Sequence, residues 1–259
     1  KEPDHVFAHG FIQVSGEKMS KSRGTGIDPL RYLKLGMNPE WLRYYIAAKL
    51  NANVEDIDFI PEDFVARVNS DLVGKYINIA SRCSGFLTKQ FDGKLELPPA
   101  TFDYGARLLG LRKDSLLAEF QDRGSQIAEF YDSREFGKAL REIMALADYA
   151  NQFVDNHKPW DLAKQKGEEK RLQHVCSVGI NLFRLLTIYL KPILPKLSAD
   201  VEKFLGVDPL GWSDLNTLLD HGHTMIRYAL LLVRVEDNQL DALFNIGAGV
   251  DALLGLRLP

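Results

Sequence analysis

The feature that most constrains this chain is the helical spacing of its apolar residues between positions 61 and 205. An apolar residue recurs about every fourth position through Phe64, Val68, Leu72, Tyr76, Ile79, Cys83 and Phe86. This spacing places the apolar side chains on one face of a helix. Further stretches with helical period follow at about 104–132, 136–154 and 168–189. The sequence therefore predicts a bundle of four or five long helices.

The first sixty residues predict a small α/β segment in front of this bundle. Residues 6–14 mix β-branched and aromatic side chains and are followed by Ser15-Gly16, which is typical of a hairpin. Strands are expected only before residue 20. Asp28-Pro29 and Asn38-Pro39 each place a capping side chain directly before a proline, which predicts two helix starts.

The chain divides into three predicted parts. Residues 1–60 form the α/β segment, residues 61–205 form the helical bundle, and residues 206–259 form a tail. The tail contains two candidate helices, at 224–235 and 237–254. The predicted fold class is thus mainly α, with a bundle preceded by a small α/β segment.

The composition limits the function classes that remain. A net charge of −3 gives no overall basic field, so any nucleic-acid site must be a local patch. Cys83 and Cys176 form no C-x-x-C pair, which argues against a zinc knuckle and fits the reducing cytoplasm. No apolar run is long enough to predict a membrane span. Because the chain opens on Lys1 and its basic loop follows closely, we expect a fragment of a longer protein.

A short basic loop, Lys18-Met19-Ser20-Lys21-Ser22-Arg23-Gly24, is the strongest local motif. It has three cations and no acid within six residues, together with two hydroxyls and a glycine. Ammonium groups, hydroxyls and backbone N–H groups in such a loop can surround an anionic group. The alternative is a solvated turn without function.

The string KMSKS resembles the nucleotide-binding signature of class I aminoacyl-tRNA synthetases. Together with its flanking residues it resembles the form found in methionyl-tRNA synthetases. The likeness extends over about residues 5–244. The segments that carry it are Leu42-Arg43-Tyr44-Tyr45, Asp56-Ile57-Asp58-Phe59, Ile77-Asn78-Ile79-Ala80-Ser81-Arg82, Lys158-Pro159-Trp160, residues 182–195 and Arg234-Val235-Glu236.

The resemblance implies a role for the basic loop in a methionine–tRNA ligase. Such an enzyme joins methionine to ATP, usually with Mg²⁺, and passes methionine to its tRNA. Lys21 is then the first candidate, and Lys18 the second, to stabilise charge on the leaving pyrophosphate. Met19, Ser20 and Ser22 complete the implied ATP contact. The His-x-Gly-His signature, the methionine pocket and the zinc knuckle of the family are absent from this sequence, so we expect the chain alone to be inactive and to bind no metal.

A second candidate site combines two helices of the predicted bundle. Asn78 and Arg82 are four residues apart, so both project from one helix face, where an amide and a guanidinium can read base edges and hold a phosphate. Taken alone, this pair also fits a solvated helix face. Trp160 follows Pro159 at a helix start and could be a buried core indole or a platform on which a base stacks.

The family resemblance favours the binding interpretation. It implies that Asn78, Arg82, Pro159 and Trp160 receive the unstacked bases of a CAU anticodon of tRNA(Met). Asp155 is implied to hold the geometry of the corner. Nothing in the sequence resembles the dimerisation module that the family often carries, so we expect a monomer.

Two alternatives remain open at this stage. The chain could be a non-catalytic anticodon-binding module, or a class I synthetase of another specificity. A purely structural protein would have no use for an acid-free KMSKS loop. His221-Gly222-His223, which could suggest a metal site, is instead predicted to be an exposed turn, because no cysteine lies near it.

Overall fold

The computed structural model describes residues 2–19, 26–99 and 116–244. Over these ranges the protein is mainly helical, with one small sheet close to the N-terminus. The predicted fold class is confirmed. The helices pack around one continuous apolar core that also reaches the sheet through Val14 and Phe59.

The sheet has three short strands in the order β2-β1-β3. β1 (Ile12–Val14) and β2 (Glu17–Lys18) form the predicted antiparallel hairpin. β3 (Ile57–Phe59) pairs with β1 in parallel, with Ile12 opposite Ile57. The expectation that strands occur only before residue 20 is therefore wrong. β3 contains only three residues, which is too short for alternation alone to distinguish a strand from a loop.

Two helices separate the hairpin from β3, and both begin where their proline signals predict. The Asp28 carboxylate accepts a hydrogen bond from the Leu30 backbone N–H at 2.9 Å and caps α1 (Pro29–Lys34). The Asn38 side chain accepts from the Glu40 N–H at 2.9 Å and caps α2 (Pro39–Lys49). Each cap satisfies a donor that the first helical turn leaves without a partner.

The predicted first helix of the bundle is continuous but not uniform. It begins as α3 (Pro61–Arg67), widens into a π-helical stretch (Val68–Ile77) and continues as α4 (Asn78–Gln90). The π-helical stretch is ten residues long, whereas most π-helical segments are single turns. Its wider turns shift the angular position of every side chain that follows, including Asn78.

The remaining helices surround α9, which is buried along almost its whole length. The predicted helices at 136–154 and 168–189 are confirmed. Of the predicted helix at 104–132, residues 104–115 lie outside the described ranges, and the rest forms two helices separated at Arg123. The bounds are α5 (Leu116–Asp122), α6 (Gly124–Asp132), α7 (Phe136–His157), α8 (Pro159–Leu162), α9 (Glu169–Leu190) and α10 (Pro195–Leu205).

The tail differs from its prediction. After a short 3₁₀ helix (Trp212–Asn216), residues 225–236 are irregular, so the predicted helix at 224–235 is wrong. The backbone there bonds to other parts of the fold instead, as when Ile226 N–H donates to Phe204 O at 3.0 Å. The next helix, α11 (Asp237–Phe244), confirms the start of the second candidate helix; residues 245–254 lie outside the described ranges.

The tail returns to the N-terminal segment. The Asn69 amide donates to Val235 O at 2.9 Å and accepts from Val235 N–H at 2.8 Å. Arg31 of α1 donates to the carbonyl of Ala242. The rings of Phe59 in β3 and Phe244 in α11 lie 6.0 Å apart. The end of the described chain is thus attached both to the bundle and to the sheet.

Two further expectations concern membranes and cysteines. None of the helices in the described ranges is both long and apolar enough to cross a bilayer. Cys83 and Cys176 are buried free thiols. A hydrogen bond with Cys83, together with burial, raises the pKa of the Cys176 thiol well above its ordinary value, so this thiol stays protonated at neutral pH.

Candidate nucleic-acid interface

The predicted anticodon residues lie together where α4, α7 and α8 meet. Arg82 of α4 forms an ion pair with Asp155 of α7. Its guanidinium also lies over the ring of Trp160 in α8, 4.8 Å from the centroid. Asn78, one turn before Arg82, is hydrogen-bonded to Asn151 of α7 at 3.1 Å. Residues that are up to 82 positions apart in sequence therefore form one cluster.

The corner between α7 and α8 positions the indole. α7 ends at His157, and Lys158 adopts a left-handed conformation with φ +45°. Such a backbone is uncommon for a residue with a side chain and tends to occur at functional sites. The Lys158 carbonyl then accepts from Asp161 N–H at 2.8 Å, which closes the first turn of α8. Pro159, which is buried, fixes the start of α8 and places Trp160 at the outside of the corner.

Trp160 is half-buried and packs against the edge of the apolar core. It is therefore not the fully enclosed indole that the alternative interpretation requires. By contrast, Trp41 is only 2 % exposed and lies within the core. An indole that is anchored on one side and accessible on another can offer ring surface to a base.

Arg82 is the residue that joins the cluster. Its side chain is 20 % exposed, whereas that of Asp155 is 60 % exposed. Asp155 accepts from one terminal nitrogen of the guanidinium, and a guanidinium has five N–H donors. Arg82 can therefore keep its ion pair with Asp155, lie over Trp160 and still donate to a phosphate or to a base edge.

Asn151 belongs to this cluster and was missed in the sequence. It lies about one helical turn before Asp155 on α7, so the i, i+4 spacing was the available signal. Its amide bonds Asn78 and also the carbonyls of Lys75 and Ala147. A polar residue with three bonds at a helix junction serves to fix geometry.

His157, the last residue of α7, is a titratable group that borders the corner. Its ring lies 4.4 Å from that of Phe153, centroid to centroid, and its Nδ1 is 2.8 Å from the Phe153 carbonyl. Burial lowers the pKa of His157 below its ordinary value. The ring is consequently neutral at neutral pH, and acid must charge a partly desolvated group.

The second candidate site, the basic loop, is described only at its start. Lys18 is the last residue of β2, and its Nζ lies 5.5 Å from the centroid of the Phe11 ring. Met19 borders an apolar cavity of about 200 Å³ that is also lined by Ile12, Ile27 and Leu42. Ser20, Lys21 and Ser22 lie outside the described residues, so their assignment to ATP stays a prediction.

One continuous helix leads from the end of the sheet to the corner. Pro61 follows the sheet after one residue, and Arg82 lies 21 positions further along the continuous helix. At a rise of about 1.5 Å per residue in its α-helical parts, this helix is a long connection between the sheet and the corner.

The histidine pair lies in a turn, as predicted. Gly222 has φ +89°, and His223 Nε2 is 2.6 Å from the carbonyl of Leu205. His221 is exposed and lies 3.9 Å from a Glu96 carboxylate oxygen. Within residues 2–19, 26–99 and 116–244, no three His, Cys, Asp or Glu side chains are arranged to hold a metal ion.

Comparison with known protein families matches two consecutive regions of the chain. Residues 1–84 match the family described as "tRNA synthetases class I (M)". Residues 105–251 match the "Anticodon binding domain of methionyl tRNA ligase". Asn78 and Arg82 fall in the first match, and Asp155, Pro159 and Trp160 fall in the second.

Two curated relatives illustrate the similarity. The methionine–tRNA ligase of Janthinobacterium sp. (strain Marseille) is 57% identical over 256 residues, which cover 99% of this chain and 35% of the relative. That of Methylibium petroleiphilum is 61% identical over 247 residues, covering 95% of this chain and 34% of the relative. The chain thus spans about a third of the length of these relatives.

The fold has a similar counterpart among solved structures. The Mycobacterium tuberculosis methionyl-tRNA synthetase in complex with methionyl-adenylate superposes with a TM-score of 0.76 and 25% identity, over 89% of this chain and 44% of that structure. The sequence and structural matches agree along the chain. It belongs to the methionyl-tRNA synthetase family of class I aminoacyl-tRNA synthetases.

Proposed function

We propose that this chain is the part of a methionine–tRNA ligase that supplies the KMSKS loop and recognises the CAU anticodon of tRNA(Met). The observation that carries the proposal is the contact of the Arg82 guanidinium with the Trp160 ring, with Asn78 one turn away. An aromatic platform, a guanidinium and an amide in one cluster are the groups with which proteins bind unstacked RNA bases.

Each residue of the corner has a distinct role in this proposal. An anticodon base stacks on the accessible surface of Trp160, while the Arg82 guanidinium donates to base edges or phosphates and the Asn78 amide hydrogen-bonds to a base edge. Asp155 keeps the guanidinium in place, and Pro159 fixes the start of the helix that carries the indole. The side chains are already held by one another, so RNA binding does not have to order them.

The basic loop acts in the other half of the reaction. In the proposed enzyme ATP, usually with Mg²⁺, reacts with methionine to give the adenylate and pyrophosphate. Lys21 first, and Lys18 second, stabilise the negative charge on the departing pyrophosphate, and Met19, Ser20 and Ser22 line the nucleotide. Methionine then passes from the adenylate to the 3′ end of the tRNA.

The remaining assignments follow from this proposal. Residues 1–60 form the end of the catalytic domain, residues 61–205 the anticodon-binding bundle and residues 206–259 the linking tail. We further propose a cytoplasmic monomer. By itself this chain contains no His-x-Gly-His signature, which favours a second candidate function: the isolated chain binds the anticodon without catalysing the reaction.

The experiment that tests the proposal is binding of the chain to a CAU anticodon stem-loop. A stem-loop with a scrambled anticodon is measured alongside at fixed moderate salt, since phosphate contacts make affinity salt-dependent. Trp160→Ala should weaken binding of the CAU loop about tenfold or more, because one base–aromatic stack is lost. Trp160→Phe should retain most of the affinity.

A matched control comes from a second half-buried tryptophan. Trp212 packs between Tyr131 and Tyr189, away from the corner. Trp212→Ala should lower stability while the folded fraction still prefers CAU. If the wild-type chain binds both loops equally, or if Trp160→Ala binds the CAU loop as tightly as the wild type does, the chain is not an anticodon reader of the proposed kind.

A further inference from the structure

The orientation of the Asn151 amide is fixed by two carbonyl groups. Its Nδ2 donates to Lys75 O at 3.0 Å and to Ala147 O at 2.9 Å. An amide NH₂ has two hydrogens, and both are used by these bonds. The reversed amide would place its oxygen against two carbonyl oxygens. Asn151 must therefore direct its own Oδ1 toward Asn78.

This orientation determines that of Asn78 in turn. The Nδ2 of Asn78 donates to Asn151 Oδ1 at 3.1 Å. If the Asn78 amide were reversed, two oxygens would face each other, which is unfavourable. The Asn78 Oδ1 therefore points away from Asn151. Within the described part of the chain no group donates a hydrogen bond to it, and the residue is half-buried.

A fixed acceptor distinguishes bases by their exocyclic groups. Cytosine and adenine carry an amino group, at N4 and N6, that donates a hydrogen bond. Uracil and guanine present a carbonyl oxygen, at O4 and O6, in the corresponding position. An acceptor that cannot reverse accepts the first pair of bases and repels the second. A CAU anticodon contains two amino-bearing bases, at its first and second positions.

We propose that Asn151 is a positioning residue that fixes the Asn78 amide with its oxygen toward the RNA, so that Asn78 selects an amino-bearing base at one anticodon position. The inference rests on the proposed function and adds to it the source of the selectivity. Asn151 does not touch the base. It acts by preventing Asn78 from offering a donor where an acceptor is required.

A merely structural role for Asn151 makes a different prediction. The same residue joins α7 to the end of the π-helical stretch, so its removal will also lower stability. A loss of that kind weakens binding of every RNA by a similar factor. A change in the ratio of affinities between two anticodons is the readout that separates the two roles.

The test measures binding of the 259-residue chain to stem-loops with CAU, UAU and CGU anticodons. UAU removes the amino group at the first position, and CGU removes it at the second. In Asn151→Ala, where Asn78 is free to reverse, the preference for CAU over one of the two variants should fall about tenfold. The position at which it falls identifies the base that Asn78 contacts.

A conservative variant separates the effect on the orientation of the Asn78 amide from the effect on the stability of the fold. Asn151→Asp retains an acceptor for Asn78 but cannot donate to the Lys75 and Ala147 carbonyls. It should melt at a lower temperature than the wild type and still discriminate between the anticodons. In an Asn78→Ala background, adding Asn151→Ala should change the discrimination no further, because the residue that it orients is gone.

The outcomes of these binding measurements test the positioning role of Asn151 and the proposed function separately. If the wild type prefers CAU and Asn151→Ala discriminates equally well, the positioning role is overturned while the proposed function stands. The same holds if Asn151→Ala reduces discrimination to the same extent with and without Asn78. If the wild-type chain shows no preference for CAU, both the proposed function and this inference are overturned.

Discussion

The corner around Trp160 and the hairpin that leads into the basic loop are built in opposite ways. At the corner, side chains from three helices contact each other, and Arg82 joins Asp155 to Trp160. In the hairpin, Lys18 lies on a two-residue strand, and the Phe11 ring beneath its ammonium belongs to a residue that is 71% exposed.

The difference shows how each site can contribute to function. Preorganised side chains lose little conformational entropy when a ligand arrives, which favours selective recognition. In the proposed enzyme, the cations of the basic loop instead stabilise a group that becomes more negative during reaction. Substitutions at the corner should thus alter binding, and substitutions in the loop should alter rate.

The largest expected effect tests whether the corner governs binding while the basic loop governs rate. In an enzyme of the full length of the relatives, Lys21→Ala should lower the rate of ATP–pyrophosphate exchange by roughly 100- to 1,000-fold. Binding of tRNA should change by less than about threefold, because the corner is intact. Lys34→Ala, which removes an exposed cation of α1, is the control and should change neither quantity. An equal loss of exchange and of tRNA binding would contradict the division.

The next effect concerns the contact between the N-terminal α/β segment and the start of α10 in the helical bundle. Glu40 of α2 is 5% exposed, and its carboxylate accepts from the backbone N–H groups of Lys196 at 2.6 Å and Leu197 at 2.8 Å. Glu40→Ala leaves both donors without a partner and should lower the free energy of unfolding by about 3 kcal/mol. Urea denaturation measures this change.

An exposed acid in a helix provides the control for that substitution. Glu129→Ala in α6 should change stability by less than about 0.5 kcal/mol. If Glu40→Ala is equally mild, the carboxylate does not stabilise the start of α10. If urea denaturation of Glu40→Ala shows two transitions, the α/β segment and the helical bundle unfold separately once the contact between Glu40 and α10 is lost.

A smaller effect is expected where the tail is attached. Asn69→Ala removes both hydrogen bonds to the Val235 backbone and should cost about 1–2 kcal/mol. Thermal unfolding followed by circular dichroism measures the change, and Asn238→Ala on the exposed side of α11 is the control. No shift relative to that control would show that the tail is held without Asn69.

The smallest effect is a pH dependence of stability. Because burial lowers the pKa of His157, the folded state binds a proton there less readily than the unfolded chain. Stability is therefore complete above the ordinary histidine pKa and falls as the pH drops below it. Melting temperatures between pH 7.5 and 5.5 should decrease less in His157→Gln than in the wild type. His5→Gln, at an exposed position, should keep the wild-type slope.

Local signals were sufficient to predict much of the fold. Asp28 and Asn38 cap their helices as their position before a proline indicates, and the periodicity of the bundle reflects burial against a single core. The tail was mispredicted because tertiary contacts override its helical spacing. Met225, Leu232 and Val235 are buried at helix-like intervals in a backbone that is bonded elsewhere.

The sequence named several side chains of the corner, but not how they contact each other. The family motif identified Arg82 and Trp160, and the structure adds that they touch. Asn151 could not be assigned, because its role depends on carbonyls and an amide supplied by two helices. The roles of the loop residues Ser20, Lys21 and Ser22 in contacting ATP stay predictions.

The return of the tail to the sheet has a mechanical consequence for the proposed enzyme. A tRNA held at its anticodon and at its acceptor end is a bivalent ligand, and the second contact depends on its effective concentration. A flexible connection between the α/β segment and the helical bundle would let the acceptor end sample a large volume. The hydrogen bonds of Val235 with Asn69 and of Ala242 with Arg31 give the chain a second connection between these two parts. This connection limits how far the two parts can bend relative to each other.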